Sequence, residues 1–270
     1  MTALRKRALI LLLTAVVAAG AAHAQGQDAA ASERLIDLPL SAGDHQRILF
    51  ITPPKPKAVI VMLPGGSGDI GLSRGGDIRH DNNFVVRTRQ LWNARGYAVL
   101  IPDTIDGSNL RGRRSSPEYA GLVAKIIDFA HDQVAVPVFL LGTSQGSIAA
   151  MNGAAHAAPG TLAGVILTES VSVLGGSRET VFDADPQEVR VRALVVANQD
   201  DRCDVAPPAM AAKIAAAMIN SPDVKLELVS GGLSQSSRDC GSLTPHGYYG
   251  IEERVIGIID SWIQSQLHNN

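Results

Sequence analysis

The sequence predicts an α/β protein: a mostly parallel sheet of about eight strands with helices on both faces. Two observations carry this. Short apolar runs without alternation, such as residues 58–63 (AVIVML), recur along the chain, as a strand buried on both faces requires. Between them lie longer stretches with apolar residues three and four apart. Strand and helix units therefore alternate, and in one sheet that means parallel strands joined by crossover helices. Composition agrees: 270 residues that are 46% hydrophobic and 19% charged suffice for a packed core and exclude a disordered chain. The 26 Gly and 14 Pro are scattered, not periodic.

Taken in order, residues 1–24 read as a cleaved signal peptide. Arg5, Lys6 and Arg7 form a positive start, residues 8–22 are almost wholly apolar, and Ala22-His23-Ala24 supplies small residues for cleavage. The run is short for a membrane span, which needs about 20 apolar residues. No cysteine follows it to carry a lipid, so no stable membrane anchor is expected. Residues 25–33 (QGQDAAASE) read as a loose leader, and 34–270 as one domain.

Residues 34–40 and 47–52 read as two strands around the turn Ser41-Ala42-Gly43-Asp44. That turn is too short for a crossover, so they should pair antiparallel at one edge. Buried strands follow at 58–63, 97–101, 138–141, 164–168, 193–197 and 225–229. Tyr119, Leu122, Val123, Ile126, Ile127 and Ala130 keep helical spacing, as do Ile251, Val255, Ile258, Ile259 and Trp262. Residues 208–220 read as an Ala-rich helix. No internal repeat or linker to a second domain is evident.

The whole chain carries 24 basic against 26 acidic side chains; without the three basic residues of 1–24 the balance is 21 against 26, or −5. With a pI near 6.4 and no basic block beyond residue 7, a nucleic-acid partner is disfavoured. Cys203 and Cys240 form an even pair after export and read as one disulfide. No pair of histidines lies near them, which makes a zinc site a weak alternative.

The chemistry centres on Gly142-Thr143-Ser144-Gln145-Gly146. An apolar strand runs into this G-x-S-x-G segment and a small-residue helix, 147–155, runs out of it. Such a turn lifts a strained serine above the sheet edge, and its glycines avoid collision with the neighbouring strand and helix. A serine hydroxyl needs a base to become a nucleophile. His246, in L-T-P-H-G-Y-Y, is the histidine placed between the last strand and the last helix. His23 leaves with the signal, His268 is terminal, His45 and His80 lie in the hairpin and a charged loop, and His131 and His156 belong to the wrong edge. The acid that orients the base is read as Asp201, in the strand-end loop N-Q-D-D-R-C, with Asp200 in reserve. Glu169, one strand earlier, is a weaker alternative, and Asp204 reads as solvated. Met62-Leu63-Pro64-Gly65-Gly66-Ser67-Gly68 follows the third strand, and the backbone N–H groups of Gly66 and Gln145 are assigned to an oxyanion hole. The same glycines lack the Lys-Ser/Thr of a phosphate-binding loop. A disulfide would tie the loop of Asp201 to that of His246.

At these residues the sequence resembles the α/β-hydrolase superfamily: the elbow G-T-S-Q-G, the P-G-G segment, the strand-end D-D-R-C and the late P-H-G-Y, over about residues 35–265. The chain order Ser144, Asp201, His246 is that of the superfamily and differs from chymotrypsin and subtilisin. The N-F-V-V-R-T-R segment at 83–89, with D-x-C and C-G-x-L-x-P-H-G, is similar to a group of small exported bacterial members. Pro64 departs from many relatives, which have His before the oxyanion glycine. The resemblance implies hydrolysis of an ester or related acyl bond of a small-molecule substrate through an acyl-Ser144 intermediate. Peptidase or acyltransferase activity on the same residues, or a non-catalytic binding protein on the same scaffold, are the alternatives. No metal or organic cofactor is required. Only about twenty residues, 172–191, separate the sixth and seventh strands, so a large lid is not expected. The charged loop 65–84 reads as solvated or as a pocket rim, and Arg111, Arg113 and Arg114 as structural pairing or as recognition of an anionic group.

Overall fold

The computed structural model describes residues 31–40 and 43–268. The expected signal peptide, most of the expected leader and turn residues Ser41 and Ala42 lie outside them. Eight strands form one sheet: β1 (Ser32–Pro39), β2 (His45–Thr52), β3 (Val59–Leu63), β4 (Ala98–Pro102), β5 (Val138–Thr143), β6 (Gly164–Thr168), β7 (Ala193–Asn198) and β8 (Val224–Val229). Their order is β1-β2-β4-β3-β5-β6-β7-β8. β1 begins two residues earlier than the sequence suggested, so Ser32 and Glu33 are paired in the sheet, opposite Thr52 and Ile51. The pairs β1–β2 and β2–β4 are antiparallel and all others parallel.

The central strands bury both faces, which is why they read as unbroken apolar runs. Alternate residues serve two cores. Val61, Leu100, Leu140, Leu167 and Val195 pack with α3 (Pro117–Gln133), α4 (Gln145–Ala155) and α5 (Ala211–Ala217). Ile60, Met62, Val99, Leu141, Ile166 and Val196 pack with Phe84, Val85, Trp92, Ile259 and Trp262. Those residues come from α1 (Phe84–Arg87), α2 (Arg89–Ala94) and α6 (Glu252–His268). α3 starts on Ser116, which accepts the Tyr119 N–H, with Pro117 in the first turn, where its missing N–H costs nothing.

Three helices depart from the sequence reading. α1 and α2 were not anticipated; they span four and six residues, too short for a periodic signal. The Ala-rich helix is shorter than 208–220, because a 3₁₀ turn (Pro208–Met210) precedes α5. Between β6 and β7, among the described residues, there are two 3₁₀ turns (Val181–Asp183, Pro186–Glu188) and no cap domain.

The strand order reverses direction at β3 and β5, whose chain continuations leave to opposite sides. In open α/β sheets the crevice at the carboxyl ends of such strands is where ligands bind. Leu63 pairs with Gly142, so the Pro64–Gly68 loop and Ser144 leave the sheet side by side.

Candidate active site

Ser144 joins β5 to α4 at φ 53°, ψ −123°, positive-φ backbone that a residue with a side chain rarely adopts. It stands at the helix N-cap, yet its hydroxyl makes no capping hydrogen bond; its N–H donates to Thr168 O at 2.9 Å. The glycines on either side make the turn possible. A Cβ on Gly142 would lie 2.2 Å from Gly146 O, and one on Gly146 2.1 Å from Leu63 O. Helix and strand thus approach as closely as backbone allows, in the manner expected of the elbow.

His246 lies in the 3₁₀ turn Pro245–Gly247 and is 3% exposed. Its Nδ1 is 2.7 Å from Asp201 Oδ2. A carboxylate only accepts, so Nδ1 carries the proton and Nε2 is left as the lone-pair nitrogen. Nε2 is buried and has no hydrogen-bond partner. The second Asp201 oxygen, Oδ1, accepts the Cys203 N–H at 2.8 Å. Asp200 is turned away: it is exposed, and its carboxylate accepts the Gly231 N–H. Asn198 joins the two loops, its side-chain amide donating to Gly231 O and Pro245 O.

Ser144 and His246 share a pocket of about 90 Å³ with Gly65, Gly66, Asn83, Phe84, Thr143, Cys240, Ser242 and Gly247. Gly66 has φ +61°, and a Cβ on Gly65 would meet Ser144 Cβ at 3.1 Å, so the loop after β3 lies against the serine. Among the described residues, the N–H groups of Gly66 and Gln145 donate to no protein acceptor. The Gln145 side chain is held aside by donating to Ser177 Oγ at 3.0 Å. Pro64 is anchored through its carbonyl, which accepts from Arg114 Nη2 at 3.3 Å. Arg114 is 1% exposed, a structural group, whereas Arg111 is exposed, its Nη2 3.6 Å from where a Gly66 Cβ would stand.

Cys203 and Cys240 are joined in a disulfide that links the Asp201 loop to the pocket wall. The Cys203, Asp204 and Cys240 side chains converge as metal ligands do, but bridged sulfurs are not thiolates and do not ligate. Glu169, Asp201 and His246 form a second convergent group, entirely buried. Burial, and then the Asp201 charge, pushes the Glu169 carboxyl well above the usual carboxylate range.

The sequence reading gave Asn83 and Phe84 only as the end of a loop, 65–84, that was read as solvated or as a pocket rim, and it did not single out Ser242 as lining. Asn83 left one signal: it caps α1 by accepting the Val85 N–H ahead of an apolar run. The other histidines among the described residues lie elsewhere: His45 at the start of β2, His80 on Asp69 O, His131 on Thr161 O, His156 on Asn152 O and His268 on Gln264 O.

No protein-family model and no curated protein sequence matches the chain. Solved structures do. The chain is similar to a dienelactone hydrolase from Anabaena variabilis, at 16% identity and TM-score 0.57, over 87% of this chain and 98% of that one. It is similar to Est1E from Butyrivibrio proteoclasticus, solved with ferulic acid bound, at 14% identity and TM-score 0.59, over 87% and 99%. A highly thermostable carboxyl esterase from Bacillus coagulans matches at 13% identity and TM-score 0.58, over 88% and 99%. Sheet order, elbow and neighbours define the class: the chain has the α/β-hydrolase fold.

Proposed function

We propose that this protein is an exported serine hydrolase that cleaves a carboxylic ester, or a related acyl bond, of a small soluble substrate through an acyl enzyme on Ser144. The observation that carries the reading is the buried His246–Asp201 pair: Nε2 of His246 has no partner, and His246 lines the pocket that also holds Ser144. His246 Nε2 takes the hydroxyl proton as Ser144 attacks the carbonyl carbon. The tetrahedral oxyanion accepts hydrogen bonds from the Gly66 and Gln145 N–H groups. His246 then gives the proton to the leaving alcohol, and water deacylates the serine by the same route in reverse. Asp201 holds the imidazole in the required tautomer and stabilises its cation.

A pocket of about 90 Å³ suits a short acyl group, and the absence of a cap among the described residues suits a soluble substrate. The esterases and dienelactone hydrolase named above are consistent with ester chemistry on this fold. Export is supported by the character of residues 1–24 and by the disulfide; among the described residues no helix is long and apolar enough to cross a membrane.

The test is hydrolysis of p-nitrophenyl esters from acetate to palmitate by the mature chain beside Ser144→Ala. The expected result is turnover that favours short acyl groups and is lost in the variant. Turnover unchanged by Ser144→Ala would overturn the reading. No turnover of any ester, with Ser144 still modified by a fluorophosphonate, would redirect it to a peptidase or acyltransferase.

A further inference from the structure

Glu169 directly follows β6, and Asp201 lies in the loop after β7. The two strands are parallel neighbours with Thr168 opposite Val196, so the two acids emerge together. Glu169 is 1% exposed and has φ 43°, an unusual conformation for a residue with a long side chain. Its Oε1 accepts the Asn198 N–H at 2.8 Å, while its Oε2 is buried without a hydrogen-bond donor. Both Asp201 oxygens, in contrast, already accept: Oδ1 from the Cys203 N–H and Oδ2 from His246 Nδ1. One oxygen of each acid and a ring nitrogen of His246 all lie within 4.8 Å of one another.

Two carboxylates this close, away from water, do not both ionise. The proton resides on the acid with fewer donors, and that is Glu169. A proton on Oε2 also removes the anomaly of a bare buried oxygen, because the group then donates instead of waiting to accept. Besides Asp201, the titratable groups facing Glu169 are His246 and Tyr248, from the segment before α6; no Lys or Arg pairs with it among the described residues. Tyr248 remains a phenol whose hydroxyl donates to Val196 O.

We propose, resting on the triad reading above, that Glu169 is a proton-bearing positioning residue whose Oε2–H donates to the Asp201 carboxylate and thereby tunes the basicity of His246. The hydrogen bond draws off part of the Asp201 charge, so the imidazolium is stabilised less than by a free carboxylate. His246 then stays neutral, the form that accepts the serine proton, down to lower pH. Glu169→Gln retains an acceptor for Asn198 and a donor for Asp201; Glu169→Ala retains neither.

The experiment pairs a spectrum with a pH profile. At pH 7 the wild-type protein should show the infrared carbonyl band of a protonated carboxylic acid that Glu169→Gln lacks. In kcat/KM for p-nitrophenyl acetate, Glu169→Gln should stay within about threefold of wild type and keep its acidic limb. Glu169→Ala should move that limb upward by about one pH unit. No difference band, or a Glu169→Gln profile displaced as far as that of Glu169→Ala, overturns the proposal. If Glu169→Ala does not fold, the spectrum and the Glu169→Gln profile still decide. Turnover independent of Ser144 overturns the triad reading instead, and the spectrum separates the two failures because it needs no turnover.

Discussion

Ser144 and its two glycines show how a single backbone conformation is maintained. A serine at φ 53° carries about 1–3 kcal/mol of strain, which persists only where the surroundings over-determine it. Here the Gly146–Leu63 and Gly142–Gly146 approaches leave no room for relaxation. The consequence for the candidate base is equally local. Asp201, not its neighbour, touches the imidazole, so Asp201→Asn should lower kcat/KM by roughly 10³–10⁴-fold. Asp200→Asn, which loosens only the Gly231 contact, should stay within about threefold. Equal losses in the two variants, measured by steady-state kinetics, would contradict this assignment. That Ser144 and His246 come to one pocket was legible in the sequence because each lies in a short motif whose position relative to the strands is set by chain order. The choice between Asp200 and Asp201 was not, since adjacent loop residues differ only in which way the turn points them. The close approach of Glu169 to Asp201 was further out of reach, because it depends on strand register.

Among the elements, the loops that carry His246 and Asp201 are fastened from two directions. Arg87 of α1 donates to Gly247 O and, through Nε at 2.9 Å, to Glu252 at the start of α6. The disulfide ties the other end, joining residues 37 apart. A closed loop of that length contributes about 4 kcal/mol in the chain-entropy account. Reduction should therefore lower Tm by roughly 8–16 °C, at about 2–4 °C per kcal/mol for a domain of this size. It should also lower ester turnover if the acid and base loops separate. Calorimetry and turnover on the reduced, folded protein check both; unchanged turnover would confine the bridge to stability. The strands β3 to β7 were readable because burial on two faces removes polar residues from them, whereas the edge strands β1 and β8 keep polar residues on an exposed face. α1 and α2 were not, although α1 supplies Phe84 to the pocket wall, because so short a helix is held by its cap and by packing under Tyr248 rather than by its own periodicity.

At the scale of the whole molecule, the doubly wound sheet brings loops after β3, β5 and β7 to one edge, with two separate cores holding the strands between them. Stability should carry the signature of the buried acid. With its folded pKa raised above an unfolded value of about 4.3, Glu169 contributes most below that pH. Between the two values the native state holds one proton more than the unfolded chain. Stability then falls as pH rises, by up to about 1.4 kcal/mol per unit, until the folded group itself titrates. Glu169→Gln lacks this slope, so its urea midpoint should gain on that of wild type from pH 5 to pH 8. A constant difference across that range would mean that Glu169 ionises alike in both states.

The most direct measurement for the central claim is capture of the acyl enzyme. The protein would be mixed with p-nitrophenyl acetate, quenched in acid during the initial release of nitrophenol, and mapped by peptide mass spectrometry. The expected result is an acetyl group on Ser144 and on no other serine of the wild type, and no burst in Ser144→Ala. Sustained hydrolysis with Ser144 unmodified throughout would contradict it.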